Sequence, residues 1–115
     1  MDPKKLRARF RVLPVTEDAA LAGIAAPRPR LFHFRTSAGQ EVDVVLESRR
    51  RELVGVEVKA AATVTEADFK GLRALGDLVG ERLKCGLVLH AGKEILPFGP
   101  RLWAAPIQAL WGGRS

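Results

Sequence analysis

The sequence has one cysteine, Cys85, among its 115 residues. A lone thiol excludes an internal disulfide and any zinc site built from cysteines alone, and a reducing cytoplasm is the expected setting. Long hydrophobic runs are missing as well. The longest stretch free of Asp, Glu, Lys and Arg is the twelve residues from Leu102 to Gly113, and Pro106 interrupts it. A bilayer span takes about 20 apolar residues, so no membrane partner is expected. The charged N-terminus is followed by no apolar core of the kind a secretory signal carries. No Gly-x-x-x-x-Gly-Lys-Ser/Thr loop occurs anywhere, which excludes ATP hydrolysis by that phosphate-cradling mechanism, and no nucleotide cofactor is expected. Internal repeats and low-complexity tracts are lacking too.

What remains is an ordinary globular mixture, 47% hydrophobic and 28% charged, of a length that suits one small domain. The formal charge is +6 and the pI about 10.2, a balance that suits an acidic partner such as nucleic acid. Its distribution is uneven. Eight basic and three acidic residues lie at or before Arg35, against 11 basic and 10 acidic beyond it. Lys4, Lys5, Arg7, Arg9 and Arg11 concentrate the excess at the front, where they form either a solvated arm or a weak set of phosphate contacts.

Residues 1–29 read as an irregular basic segment. It holds one candidate helix over 16–26, capped by Thr16, with Glu17 and Asp18 in its first turn and Pro27 beyond its end. From Arg30 the pattern sharpens. Phe32 and Phe34 alternate with His33 and Arg35, as in a half-buried strand. Residues 37–39 form a three-residue hairpin loop in which Gly39 supplies the left-handed position. A second strand over 41–46 sets Val42 and Val44 against Glu41 and Asp43. After the charged turn Arg49-Arg50-Arg51, a third strand over 53–59 turns Val54, Val56 and Val58 inward. Thr65 and Asp68 then open a helix with an apolar stripe of Phe69, Leu72, Leu75, Leu78 and Val79, which Gly80 ends. Residues 85–90 read as a buried strand, and 94–96 and 102–107 as short extended segments. The content is α/β with a mixed sheet.

The two hairpin turns predict a register. A three-residue loop at 49–51 pairs Ser48 with Glu52 and carries Asp43 opposite Glu57 and Glu41 opposite Lys59. The loop at 37–39 sets Arg35 opposite Glu41 and His33 opposite Asp43. One polar surface then holds His33, Arg35, Glu41, Asp43, Glu57 and Lys59. Opposed carboxylates repel, and neighbouring cations or a divalent metal relieve them. Hard oxygen donors favour magnesium or manganese over zinc. A lysine two residues beyond a ligand on the same strand face can stabilise a phosphoryl oxygen. Asp43 with Glu57-Val58-Lys59 therefore has the makings of a nuclease centre. The same alternation also describes any solvated face of an amphipathic sheet, with Glu41 and Lys59 as a simple ion pair. His33 reads as a surface or rim residue and His90 as structural. Trp103 and Trp111 read as packing residues.

Several segments together resemble one family: Phe32-His33-Phe34-Arg35-Thr36, Gly39-Gln40-Glu41-Val42-Asp43, Val56-Glu57-Val58-Lys59, Pro97-Phe98-Gly99 and Leu102-Trp103-Ala104-Ala105-Pro106-Ile107, with Leu110-Trp111. The family is domain of unknown function family 4143, the C-terminal domain of bacterial and archaeal AAA-type ATPases, and the likeness covers residues 30–111. It leaves 112–115 as a tail. That family in turn resembles the PD-(D/E)XK nuclease and Holliday-junction resolvase fold. The resemblance implies a restriction-endonuclease-like mixed sheet (a three-strand meander, a helix, further strands) with flanking helices. It implies Asp43, Glu57 and the Val58 carbonyl as ligands of Mg2+ or Mn2+, Lys59 as the catalytic lysine, and Glu41 as part of a Glu-x-Asp signature supported by Arg35 and His33. The expected reaction is metal-assisted hydrolysis of a phosphodiester in DNA, by a module detached from its ATPase. The alternative is a non-catalytic module that binds an AAA-type ATPase, another protein or nucleic acid and keeps the fold without turnover.

Overall fold

The computed structural model describes residues 8–12 and 29–109. The candidate helix over 16–26, Lys4, Lys5, Arg7, Glu17 and Trp111 lie outside them. The strands are β1 (Ala8–Val12), β2 (Arg30–Thr36), β3 (Glu41–Glu47), β4 (Leu53–Val58), β5 (Leu83–His90), β6 (Leu96–Gly99) and β7 (Leu102–Pro106). Helix α1 (Lys70–Val79) follows a 3-10 turn over Glu66–Phe69 and leads through a second, Gly80–Arg82, into β5. All seven strands join one mixed sheet in the order β1-β2-β3-β4-β5-β7-β6. β1 to β4 pair antiparallel, β4–β5 and β5–β7 parallel, and β6 closes the far edge antiparallel to β7.

Both hairpins take the three-residue form. Thr36 N–H donates to Gln40 O at 2.9 Å across 37–39, with Gly39 at φ 89°. Ser48 N–H donates to Glu52 O at 2.9 Å across 49–51, with Arg51 at φ 66°. The second turn sets the expected register, pairing Val44 with Val56, Val45 with Gly55 and Leu46 with Val54.

Four expectations are corrected. The front of the chain is not irregular throughout, because Ala8–Val12 pairs along β2 with Phe10 against Phe32 and Phe34 at ring distances of 6.2 and 5.1 Å. Arg9 and Arg11 are thus exposed residues of an edge strand. Second, β2 and β3 do not run in one register: Phe34 pairs with Val42, but Phe32 pairs with Val45. The extra residue in β3 is a bulge that faces His33 with both Asp43 and Val44. It turns Val42 and Val45 into the core, both fully buried, and leaves Val44 half-buried. Third, the inward residues of β4 are Leu53 and Gly55; Val54 and Val56 are half-buried and Val58 is 53% exposed. Fourth, the strand after β5 is Leu96–Gly99 rather than 94–96.

The cause of the third correction is where α1 lies. Its apolar stripe, Phe69 (the last residue of the preceding turn), Leu72 and Leu75, is fully buried against β2 to β5, whereas Leu78 is 51% exposed. Gly55 offers the space this needs, since a Cβ there would stand 2.5 Å from Leu72 Cδ2. Phe98, from the Pro97-Phe98-Gly99 segment, stacks on Phe69 with centroids 4.6 Å apart. No helix among the described residues is long and apolar enough to cross a membrane.

Candidate active site

The β3–β4 ladder ends at Val44 and Val56. Beyond it, two carboxylates take the place of backbone partners. Asp43 N–H donates to Glu57 Oε1 at 2.5 Å, and Val58 N–H donates to Asp43 Oδ2 at 2.9 Å. Each acid therefore accepts from the backbone of the other's strand, and the pair is held side by side in the gap. Charge-assisted bonds of this kind are about twice as strong as neutral ones, which offsets part of the repulsion. The rest shows in the titration of Glu57. Partial burial, with the Asp43 and Glu41 charges added, pushes it up to about 7, although the bond from Asp43 N–H pulls the other way.

Glu57 follows Gly55 on the face beneath α1, so it opens into the cleft where the helix begins rather than onto a solvated polar face. That cleft, about 510 Å³, is lined by Glu41, Glu57, Lys59, Asp68 and Gly71 among others. Lys59 follows β4 directly and is fixed by its own N–H, which donates to Leu89 O at 2.8 Å. Its ammonium does not pair with Glu41 as expected. It donates to Asp68 Oδ2 at 2.6 Å in a half-buried pair. Asp68 Oδ2 also accepts from Thr65 N–H at 2.7 Å, completing the capping box that opens the 3-10 turn. Burial works against ionisation of Asp68, yet Lys59 and Thr65 together hold its carboxyl below the usual range. The Glu41 carboxylate lies instead 3.4 Å from His33 Nε2 and 3.8 Å from Arg35. His33 Nδ1 also lies 3.3 Å from the Asp43 carbonyl. The six residues expected on one surface are thus divided into three adjoining groups.

The remaining candidates are quiet. His90 is buried, accepts from Gly92 N–H at 2.9 Å through Nδ1 and donates from Nε2 to Glu94 O at 2.8 Å, so it pins the turn after β5. Burial pushes the Cys85 thiol up, away from a nucleophilic thiolate. Trp103 is 41% exposed.

The donor set fits a hard divalent ion. Asp43 and Glu57 supply carboxylate oxygens, and the Val58 carbonyl leaves its strand on the same side as the N–H that meets Asp43. Among the described residues no three His, Cys, Asp or Glu side chains gather as a ready cage. Magnesium does not need one, being held typically by one or two carboxylates with waters.

The raised Glu57 value makes stability pH-dependent. Below about 4.5 the carboxyl is protonated in both folded and unfolded chains. Between 4.5 and about 7 the unfolded chain loses the proton while the fold retains it, so stability falls as pH rises, and the loss is complete above 7. Discounted for partial solvation, this amounts to about 1–2 kcal/mol. Glu57→Gln is therefore expected to be more stable than the wild type at pH 8 by that amount and equal to it at pH 4. Urea denaturation at the two pH values checks this, and parallel pH profiles for the two proteins would contradict it.

These features define an α/β domain with a seven-stranded mixed sheet among its described residues and a carboxylate pair beside a lysine at the carboxyl end of β4. The chain belongs to the family described as Domain of unknown function (DUF4143), whose model matches residues 15–110. No curated protein and no solved structure matches it.

Proposed function

We propose that Asp43, Glu57 and Lys59 form the centre of a magnesium- or manganese-dependent phosphodiesterase of the PD-(D/E)XK type acting on DNA. The observation that carries the reading is the reciprocal pair of backbone bonds that sets two carboxylates together where β3 and β4 part. Asp43, Glu57 and the Val58 carbonyl would hold the ion. When bound, the ion supplies Lewis acidity to the scissile phosphate. Lys59 carries a positive charge on the wall of the same cleft, where it stabilises the charge that develops on the phosphoryl oxygens. Asp68 fixes the direction of that ammonium, and α1, which follows its turn, closes one side of the cleft.

One observation favours the second reading, a non-catalytic module. The Lys59 ammonium is already matched by Asp68 at 2.6 Å, as a purely structural pair would be. In that case the resemblance points to an AAA-type ATPase or another protein as the partner. Calorimetric titration with Mg2+ and Mn2+ decides the metal assignment. Asp43→Ala is expected to weaken binding by roughly tenfold or more, since it removes a ligand and a bond that orders Val58. Equal binding by the two proteins would reject the site.

A further inference from the structure

The 11 basic and 10 acidic residues beyond Arg35 almost balance in the sequence, but the fold sorts many of them by the end of the sheet. β4, β5 and β7 run side by side and parallel, and each begins just behind an arginine: Arg51, Arg82 and Arg101. Two of the three side chains are tied to backbone carbonyls of neighbouring segments. Arg82 Nε donates to Arg51 O at 2.9 Å, and Arg101 donates to Leu83 O at 3.2 Å. The result is three arginines at the starts of adjacent strands, and neighbouring strands lie about 4.8 Å apart. Arg51 and Arg101 are also the two non-glycine residues with positive φ among those described, both at 66°. Glycine or asparagine takes that conformation at less cost, so the backbone does not account for arginine at either position.

The hairpin tip adds Arg49 and Arg50, both exposed and with no carboxylate in ion-pair range among the described residues. Lys84, exposed at the start of β5, adds another cation. The acids at this end are fewer. Glu47 is taken up by Arg82 at 2.8 Å and by Arg30 at 3.9 Å, leaving Glu52, Asp77 and Glu81. Glu41, Asp43, Glu57 and Asp68 sit at the opposite end, about 13 Å away along β4.

We propose that the end of the sheet formed by Arg49, Arg50, Arg51, Lys84 and Arg101 binds the phosphate backbone of nucleic acid, apart from the carboxylate cleft. Guanidinium forks match phosphate oxygens in pairs, and cations gathered at one end of a sheet suit a polymer with a regular repeat of anions. The surface serves a hydrolytic domain and a non-catalytic one alike, so it does not depend on the reading of the cleft. It moves nucleic-acid contact away from the basic front of the chain.

Fluorescence anisotropy with labelled single-stranded and duplex DNA, over a salt series and with EDTA present, tests this without any contribution from cleavage. Arg49→Glu/Arg50→Glu is expected to bind roughly tenfold or more weakly at about 0.1 M salt, and to flatten the slope of log K against log salt by about 1.5–2. Its melting temperature should match the wild type, because both side chains are exposed. Lys4→Glu/Lys5→Glu is expected to keep most of the slope. Wild-type binding by the Arg49/Arg50 variant would overturn the proposal, as would loss confined to the Lys4/Lys5 variant. Tighter capture of polyglutamate than of DNA would overturn it in favour of an acidic protein partner.

Discussion

Replacing Gly71 by alanine is expected to cost the domain about 3 kcal/mol and lower its melting temperature by roughly 10–15 °C, although alanine is the better helix former by about 1 kcal/mol. Gly71 is buried in the first turn of α1, where the helix crosses β3. A Cβ there would overlap the Glu41 carbonyl oxygen and stand 2.6 Å from its carbon. The obstacle is backbone, so no rotamer relieves it, and the helix must lift off the sheet. Lifting it would also draw Asp68 from Lys59 and widen the cleft. Gly76→Ala is the internal comparison. Its Cβ would meet only Leu83 Cδ2 at 3.4 Å, and the substitution should be neutral or stabilising by about 0.5–1 kcal/mol. Thermal melts of the two variants read the difference. A Gly71→Ala protein as stable as Gly76→Ala would show that α1 does not rest on β3 in this way.

The same contact separates what the sequence makes legible from what it does not. Turn chemistry is local, so Gly39 and the loop at 49–51 were readable, and through them the β3–β4 register and the adjacency of Asp43 and Glu57. The helix was readable from its capping residues and apolar stripe. The bulge opposite His33 was not, because Val42, Val44 and Val45 are alike in type and only packing under α1 selects Val45 over Val44. The inward face of β4 is hidden for a related reason. Val54, Val56 and Val58 carry the hydrophobic signal, but the helix lies on the other side, where Gly55 gives it room. β1 was hidden because Arg9 and Arg11 made an edge strand look like a charged arm. Edge strands tolerate charge on their open side, so the same pattern describes both.

Asp68 shows a different kind of gap. The sequence identified it as a helix cap, nine residues beyond Lys59, and no periodicity links a strand end to a helix start. Topology does. A parallel crossover from β4 to β5 returns the chain over the carboxyl end of β4, where functional groups of α/β sheets collect. The first turn after the strand must then lie near Lys59, and an acid there is placed to meet it. The carboxylate pair, the lysine and the cap thus come from three stretches whose meeting is set by the crossover rather than by any local pattern.

In the proposed hydrolysis, Lys59→Ala is expected to lower the rate of DNA cleavage by about 10²–10³-fold, the loss usual for removing one donor to a developing anion. The fold should survive. Asp68 loses one partner but keeps Thr65 N–H, and Lys59 retains its backbone bond to Leu89 O whatever its side chain. A charge-assisted hydrogen bond of this kind contributes about 1.5–3 kcal/mol, so the melting temperature should drop without loss of the folded state at 25 °C. Lys59→Arg keeps the charge but replaces a compact ammonium by a planar fork, and is expected to restore the ion pair more fully than the rate. Branched, single-stranded and duplex DNA, each assayed with Mg2+ and with Mn2+, supply the substrates. Cleavage that persists undiminished in Lys59→Ala would place the activity outside this cleft. A rate that instead follows the fraction folded across the three proteins would assign the Lys59–Asp68 pair to holding the strand end against the turn before α1, and the domain to binding without turnover.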